Sequence, residues 1–300
     1  MDEPVMVGNE LEQPKPRVHR PVFAHGKVWT AFTYIVLGFG ALISLGPFVW
    51  MILKSFMSLG ESIGATFIPS QWHFENYAQA WQDAQFSKYM VNSVLITVIT
   101  LAGELTFSVM AAYAFARIKF PGRDILFALL LSSMMIPGMV TMIPNLLTVT
   151  WLGRVGPIAW IDNWPALTIP FMGSVFSLFL LRQFFAQIPE ELFDAAKMDG
   201  AGHLRMLWKI VLPLAKAPVM VIIVLSFIGT WNALAWPLLV TNTADWLPIS
   251  VGLYDFLQDA GSELNLVMAG SVITIVPILI LYFLTQKQFT ESIARSGLKG

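Results

Sequence analysis

Residues 194–218 read Asp-Ala-Ala-Lys-Met-Asp-Gly-Ala-Gly-His-Leu-Arg-Met-Leu-Trp-Lys-Ile-Val-Leu-Pro-Leu-Ala-Lys-Ala-Pro, a polar and basic segment between long apolar runs. Pro189 before it predicts a helix start, because a residue in the first turn needs no free N–H. The two glutamates that follow Pro189 suit the positive end of the helix dipole. Gly200 and Gly202 are expected to turn the chain with positive φ. The segment therefore predicts two short helices joined by a turn.

The second predicted helix has an apolar face and a basic face. Its apolar positions recur at helical spacing, and Arg205 and Lys209 lie on another face. The apolar positions are Leu204, Leu207, Trp208 and Val211. Leu212 and Pro213 are expected to close this helix before the next apolar run.

The composition places the whole chain in the membrane class. The chain is 56% hydrophobic and 12% charged, with a mean hydropathy of +0.66, which does not fit a water-soluble globule. A helix needs roughly 20 apolar residues to cross a bilayer. Six such runs lie at 28–53, 90–116, 125–149, 164–181, 218–240 and 266–283. We therefore expect an all-α membrane protein with six transmembrane helices.

The distribution of charge orients these spans. If the N-terminus is cytoplasmic, all but three of the 18 Lys and Arg residues lie in cytoplasmic segments, as the positive-inside rule requires. The three exceptions are Lys54, Lys88 and Arg154. The segment between the last two spans carries only acidic charges, at Asp245, Asp255, Asp259 and Glu263. It is expected outside, both termini inside, and the 194–218 segment inside.

The quoted segment resembles the EAA loop of ABC importer permeases. Asp194 stands where that family usually has Glu, and the other motif positions are in register. The residues expected in the loop are Asp194, Ala195, Ala196, Asp199, Gly200, Ile210, Leu212 and Pro213. The resemblance implies a cytoplasmic coupling helix between the fourth and fifth spans, where an ATPase subunit docks. The loop would then transmit movement between the ATPase pair and the membrane helix bundle, each of which has two stable states.

Further motifs extend the likeness to carbohydrate importer permeases of the maltose type, in particular their second permease. They include the runs at 47–51, 54–56, 75–77, 92–93, 111–117 and 120–123, the pairs Trp231-Asn232 and Trp236-Pro237, and the tail 296–300. The resemblance implies a cytoplasmic tail at 1–27, a transmembrane domain at 28–289 with its EAA-type loop at 189–218, and a second tail at 290–300. It also implies a bacterial or archaeal cytoplasmic membrane.

The resemblance implies a complex as well. A second permease subunit, two ATPase subunits and an extracytoplasmic sugar-binding protein would join this chain in the bilayer, and the ATPases would bind ATP and Mg. The chain itself is expected to hold no cofactor, because its only Gly-Lys pair, Gly26-Lys27, is not followed by Ser or Thr. Four scattered histidines and no cysteine predict no metal site. A net charge of −1 argues against nucleic acid as a partner.

Glu104, Trp231 and Asn232 are the candidates for the translocation path. Glu104 is an acidic residue deep in a predicted span, where it could line the path, brace another helix or sit protonated. Trp231, Asn232 and Trp236 combine aromatic faces with an amide, which suits sugars, although Trp also belongs at membrane interfaces and an interfacial or packing role is favoured for them. The alternative functions are import of a non-sugar solute such as a glycerol phosphate ester, or ion-coupled secondary transport. Residues 60–64 match the Gly-x-Ser-x-Gly pattern of a hydrolase nucleophile elbow, which needs a strand before it and a helix after it. Because these residues follow a predicted membrane span, we interpret them as a loop.

Overall fold

A computed structural model describes residues 27–259 and 263–297, and within these residues the regular structure is helical, with no strand. By its internal contacts the chain divides into one unit that ends at Val49 and a second that begins at Trp50. Every contact discussed below lies within the second unit. Residues 1–26 of the predicted N-terminal tail, and the last three residues of the predicted C-terminal tail, lie outside the described part.

The helices follow one another in three groups. The first group comprises α1 Lys27–Ser55, α2 Leu59–Ile63, α3 Glu75–Asp83, α4 Phe86–Arg117, α5 Arg123–Ser133 and α6 Gly138–Val155. The second comprises α7 Trp164–Thr168, a 3₁₀ turn Ile169–Phe171, α8 Val175–Ala186, α9 Glu190–Met198, α10 His203–Met206, a π-helical turn Leu207–Val211 and α11 Leu212–Leu214. The third comprises α12 Lys216–Trp231, α13 Ala235–Val240, α14 Ile249–Asp259 and α15 Leu264–Gly297. Helix α15 thus continues into the segment predicted as the C-terminal tail.

Four stretches among the described residues are long and apolar enough to span a membrane without a sharp bend. They are Trp29–Ser55, Phe86–Arg117, Trp164–Ala186 and Leu264–Gln286. Two helix pairs pass the same test but are bent, Arg123–Ser133 with Gly138–Val155 by 102° and His203–Leu214 with Lys216–Trp231 by 80°. The described residues therefore contain four such spans, or up to six if each bent pair is one span.

The third and fifth apolar runs are each divided into two helices. In the third run, Pro137 lacks an N–H and disfavours helical geometry at the residue before it, so α5 ends at Ser133 and α6 begins after Pro137. In the fifth run, α12 ends at Trp231 and α13 begins four residues later. Pro237 explains this second break, since its ring would clash with a helical carbonyl four residues earlier.

Helix α4 is the central element of the second unit. It contacts α3, α7, α8, α12 and α14. Near its first turns, the Asn92 amide donates to the backbone carbonyls of Asp245 and Leu247 at 3.0 Å each, and Ser93 Oγ accepts the Ile249 N–H at 2.7 Å. These bonds fasten the segment before α14 to one end of α4, while its opposite end reaches α9 and α10.

The short helix α2 contains the hydrolase-like Ser62. Its hydroxyl is buried and donates to the Leu59 carbonyl at 2.8 Å, so it is not presented as a nucleophile. Ser58 and Glu61 form a capping box at the start of this helix. Lys54 Nζ donates to the carbonyls of Glu61 and Gly64, at 3.0 and 2.9 Å, and closes its end. The motif is a capped turn.

Candidate functional site

Residues 190–214 form a helical hairpin, whose first arm is α9. The Gly200 N–H donates to the Lys197 carbonyl and the Ala201 N–H to the Ala196 carbonyl, both at 2.9 Å, which is the Schellman pattern of a helix end. Gly200 takes φ +75°, so positive φ at Gly200 is confirmed. The same prediction for Gly202 was wrong, because Gly202 has φ −75° and an extended backbone as the N-cap of α10.

The hairpin packs one face onto α4 and α8 and leaves the other face open. Buried in that core are Phe193, Ala196, Met206, Leu207 and Val211, with Ile210 and Leu212 partly buried against them. Exposed are Asp194, Ala195, Met198, Asp199, Gly200 and Pro213. Of the predicted loop residues, Ala196 therefore serves the chain's own core, whereas Asp194, Ala195, Asp199 and Gly200 are accessible to a partner.

The second arm of the hairpin differs from the predicted amphipathic helix. Leu207 and Val211 are buried as expected, but Leu204 and Trp208 are each 65% exposed. The helix widens into a π-helical turn from Leu207, and such turns change which side chains share a face. Together with Met198, which is 89% exposed, these two residues give the open face of the hairpin large apolar side chains. Exposed apolar groups of this size commonly mark a contact surface.

Both arms of the hairpin are fastened to the end of α4. Arg117 Nε donates to the Phe185 carbonyl at 3.1 Å, and Nη2 donates to the Ile188 carbonyl. The guanidinium also lies 4.1 Å from the centre of the Phe193 ring, in cation–π geometry with the first arm. One turn earlier on α4, Tyr113 Oη and His203 Nδ1 share a hydrogen bond of 3.1 Å with the second arm.

The exposed charges of the hairpin belong mainly to its first arm. Lys197 Nζ donates to Asp194 Oδ1 at 2.9 Å, and this hydrogen bond is the main reason that the pKa of Lys197 is raised. Both side chains are more than half exposed, so the pair contributes little to stability. Its effect is to hold the two charges in a fixed place on the open face.

A second candidate site is a cavity of about 360 Å³ beside α4. Glu104, Thr100, Ser174, Ser226, Thr230, Phe171 and Trp236 are among the residues that line it. Glu104 is only 5% exposed, and Ser177 Oγ donates to its Oε1 at 2.6 Å. Of the described residues around this cavity, Glu104 alone has an ionisable side chain. Glu104 is thus the one predicted path residue that lines this cavity.

Trp231 and Asn232 do not line this cavity. The Trp231 ring is buried and stacks on Phe227 at 5.3 Å, and its Nε1 donates to the Thr274 carbonyl at 3.0 Å. Asn232 is exposed and donates to a carbonyl of its own helix. Sequence reasoning grouped Trp236 with Trp231 but did not name it as a path residue. Trp236 lines the cavity, because the break after α12 redirects the chain.

The described residues contain no group of three or more His, Asp or Glu side chains arranged to hold a metal ion. The expectation of no metal in the chain stays a prediction.

Comparison with known proteins adds the family. The model of a family described as the binding-protein-dependent transport system inner membrane component matches residues 104–293. The chain belongs to this family. The match begins at Glu104 and takes in the whole hairpin, and it makes the chain a membrane component of a binding-protein-dependent transport system.

Three relatives match this family member over most of their length. The diacetylchitobiose uptake system permease protein NgcG of Streptomyces coelicolor is 28% identical, over 94% of this chain and 93% of the relative. The sn-glycerol-3-phosphate transport system permease protein UgpE of Yersinia pestis is 30% identical, over 88% and 96%. The arabinooligosaccharides transport system permease protein AraQ of Halalkalibacterium halodurans is 32% identical, over 89% and 96%.

One solved structure is similar along nearly the whole chain. It is described as a bacterial ABC transporter involved in the import of the acidic polysaccharide alginate, and the match has a TM-score of 0.78 at 27% identity. The match covers 89% of this chain and 99% of that one. The all-helical architecture is therefore that of an ABC importer permease.

Proposed function

We propose that this chain is one permease subunit of an ATP-driven importer for a neutral sugar or oligosaccharide. The names of NgcG and AraQ, which are sugar permeases, support the solute class. In this proposal the chain pairs with a second permease, two ATPase subunits bind ATP and Mg, and an extracytoplasmic binding protein delivers the solute. In this proposal the chain crosses the bilayer six times, and α12, without α10 and α11, belongs to the fifth span, so that the two termini and the hairpin are cytoplasmic.

The observation that carries the proposal is the two-sided construction of the hairpin. One face is buried on α4 and α8 and is fixed by Arg117, and the other exposes Ala195, Gly200 and the Asp194–Lys197 pair. A rigid element with an open face can pass the movement of an attached ATPase to the membrane helices. ATP and the loaded binding protein would then favour the same outward-facing state, which couples them thermodynamically.

The lining of the cavity supports a neutral solute over an anionic one. UgpE is a relative of similar identity, so import of a glycerol phosphate ester is the main alternative. A phosphate ester is anionic, and the described residues around this cavity include no Lys, Arg or His that could pair with it; Glu104 is their only ionisable side chain. Burying an anion without a cationic partner is costly. This favours a neutral, hydroxyl-rich solute. Ion-coupled transport would use Glu104 but leaves the hairpin without a role.

Ala195→Arg tests the docking role of the hairpin, because it places a long charged side chain on the open face without touching the buried one. Ala195→Ser is the matched control, since it stays small. The assembled complex is purified through this chain, and ATPase recovery and binding-protein-stimulated hydrolysis are measured together. We expect Ala195→Arg to lower at least one of them about tenfold or more, equivalent to about 1.4 kcal/mol, and Ala195→Ser to preserve both. Wild-type values for both in Ala195→Arg would remove the docking assignment.

A further inference from the structure

One face of α4 carries a stripe of polar side chains through the interior of the second unit. Thr97, Thr100, Glu104 and Ser108 follow one another at spacings of three or four residues, so they lie on one side of the helix. All four are buried, with exposures of 5% or less. The hydroxyls of Thr97, Thr100 and Ser108 have no hydrogen-bond partner among the described residues. Buried hydroxyls without partners are costly, which points to a polar ligand or to water beside them.

Thr100 and Glu104 bring this stripe to the wall of the cavity. The Glu104 carboxylate accepts one hydrogen bond, from Ser177, and no other described side chain donates to it. A carboxylate has about four acceptor positions, so most of its capacity is unused. The buried Thr100 hydroxyl is available both to donate and to accept. A group rich in hydroxyls would satisfy both residues at once.

The remaining walls of the cavity suit the apolar face of a sugar ring. Trp236 Nε1 donates to the Ala166 carbonyl at 2.9 Å, so the indole is fixed and its polar atom is already satisfied. Phe171 meets Trp236 edge to face, with ring centres 5.8 Å apart. Gly229 also lines the cavity, and a Cβ added there would meet no atom within 4 Å. The volume of about 360 Å³ lies near the lower end of the roughly 300–1,000 Å³ of small-molecule sites.

We infer that this cavity is a subsite, within this subunit, for one ring of a neutral sugar. Glu104 and Thr100 bond its hydroxyls, and Trp236 and Phe171 pack against its C–H face. The inference rests on the proposed function and adds to it that this chain binds the solute itself, rather than leaving recognition to its partner permease and the binding protein.

The absence of cysteine from the sequence allows a direct test. Ser226 lines the cavity, and Ser226→Cys changes only one atom of the side chain. The rate at which a small water-soluble thiol reagent modifies this cysteine is measured in the reconstituted full complex. The probes are N,N′-diacetylchitobiose, arabinotriose and sn-glycerol 3-phosphate. Gln82→Cys, on an exposed position of α3, is the control for reagent access.

We expect at least one neutral sugar to slow modification of Ser226→Cys about tenfold and to leave Gln82→Cys unchanged. Glu104→Gln should raise the sugar concentration needed for protection several-fold. Gly229→Leu should abolish protection by filling the cavity, whereas Gly46→Leu, another open glycine within an apolar helix, should not.

Three results would overturn the inference. The first is that the reagent never modifies Ser226→Cys. The second is that sn-glycerol 3-phosphate alone protects this cysteine. The third is that a neutral sugar is taken up but does not protect this cysteine. The last result leaves the proposed function intact, because uptake is measured on the same vesicles. Failure of the proposed function itself would show differently, as an absence of ATP-driven uptake of either neutral sugar.

Discussion

Replacing Gly200 by serine probes the turn of the hairpin without disturbing a side-chain contact. Gly200 has φ +75°, and a Cβ there would meet no atom within 4 Å, so the cost of the substitution is conformational rather than steric. The left-handed region raises the conformational free energy of a residue with a Cβ by roughly 1–2 kcal/mol. That energy corresponds to a factor of roughly 5–30 in an opening equilibrium. The amides that report it are those of Gly200 and Ala201, which donate the two hydrogen bonds of the turn.

The same substitution at Gly202 is the matched control. Gly202 is two residues away, equally open, and has φ −75° at the N-cap of α10. Serine is at least as good an N-cap as glycine, by a few tenths of a kcal/mol. Gly200→Asn should fall between the wild type and Gly200→Ser, because asparagine tolerates the left-handed region better than most residues.

The assay is hydrogen exchange of peptides from 190–214 in the assembled complex, with ATPase recovery measured in parallel. We expect Gly200→Ser to speed exchange at Ala201 by about 5–30-fold and to weaken ATPase attachment, while Gly202→Ser changes neither. Equal exchange in the two serine variants would refute the reasoning, since it would mean that the left-handed residue does not hold the turn.

Three further predictions address the anchor, the topology and an outer turn. Arg117→Lys loses the planar guanidinium that donates to the Phe185 and Ile188 carbonyls. Each lost charged hydrogen bond costs about 1.5–3 kcal/mol, so amide hydrogen exchange in the hairpin should become faster. Unchanged exchange would contradict the role of Arg117 as an anchor. In intact cells, Met198→Cys should be shielded from an impermeant thiol reagent and Gln82→Cys should react, and the reverse pattern would invert the proposed topology. Hydrogen bonds from Ser70, then from Ser58, hold the pKa of Glu61 at about 2 instead of 4.5. The 58–70 turn should therefore be fully stabilised above pH 4.5 and loosen as the pH falls towards 2. Glu61→Gln should loosen the turn already at neutral pH, and amide hydrogen exchange measures both effects.

Features that depend on local sequence could be predicted. The length of the apolar runs indicated the long helices, and Gly200 at the end of a short polar helix indicated a left-handed residue, because both effects act within a few residues. Prolines within the apolar runs were visible, but which of them would end a helix was not, since a membrane helix can also keep a proline inside it. Pro47 and Pro277 do lie within helices, unlike Pro137.

Features that depend on distant partners could not be predicted. Arg117 was visible only as a basic residue at the end of a span, because the carbonyls that it binds are 68 and 71 residues away. Trp231 and Trp236 looked equivalent in the sequence, yet a break between their helices puts one in the core and the other in the cavity wall. Glu104 was identified because a charge within an apolar run is conspicuous by itself.

The length of α4 has a consequence for timing. Its 32 residues extend about 48 Å at 1.5 Å per residue, well beyond a hydrocarbon layer of about 30 Å. It contains no proline, whereas α1 has Pro47 inside it and the apolar run after α4 is bent by 102°. One end holds the segment before α14 and the other holds the hairpin, so an event at either surface displaces the whole rod at once. Fluorescent reporters at its two ends should therefore relax with a single shared rate constant, without a lag between the two faces of the membrane.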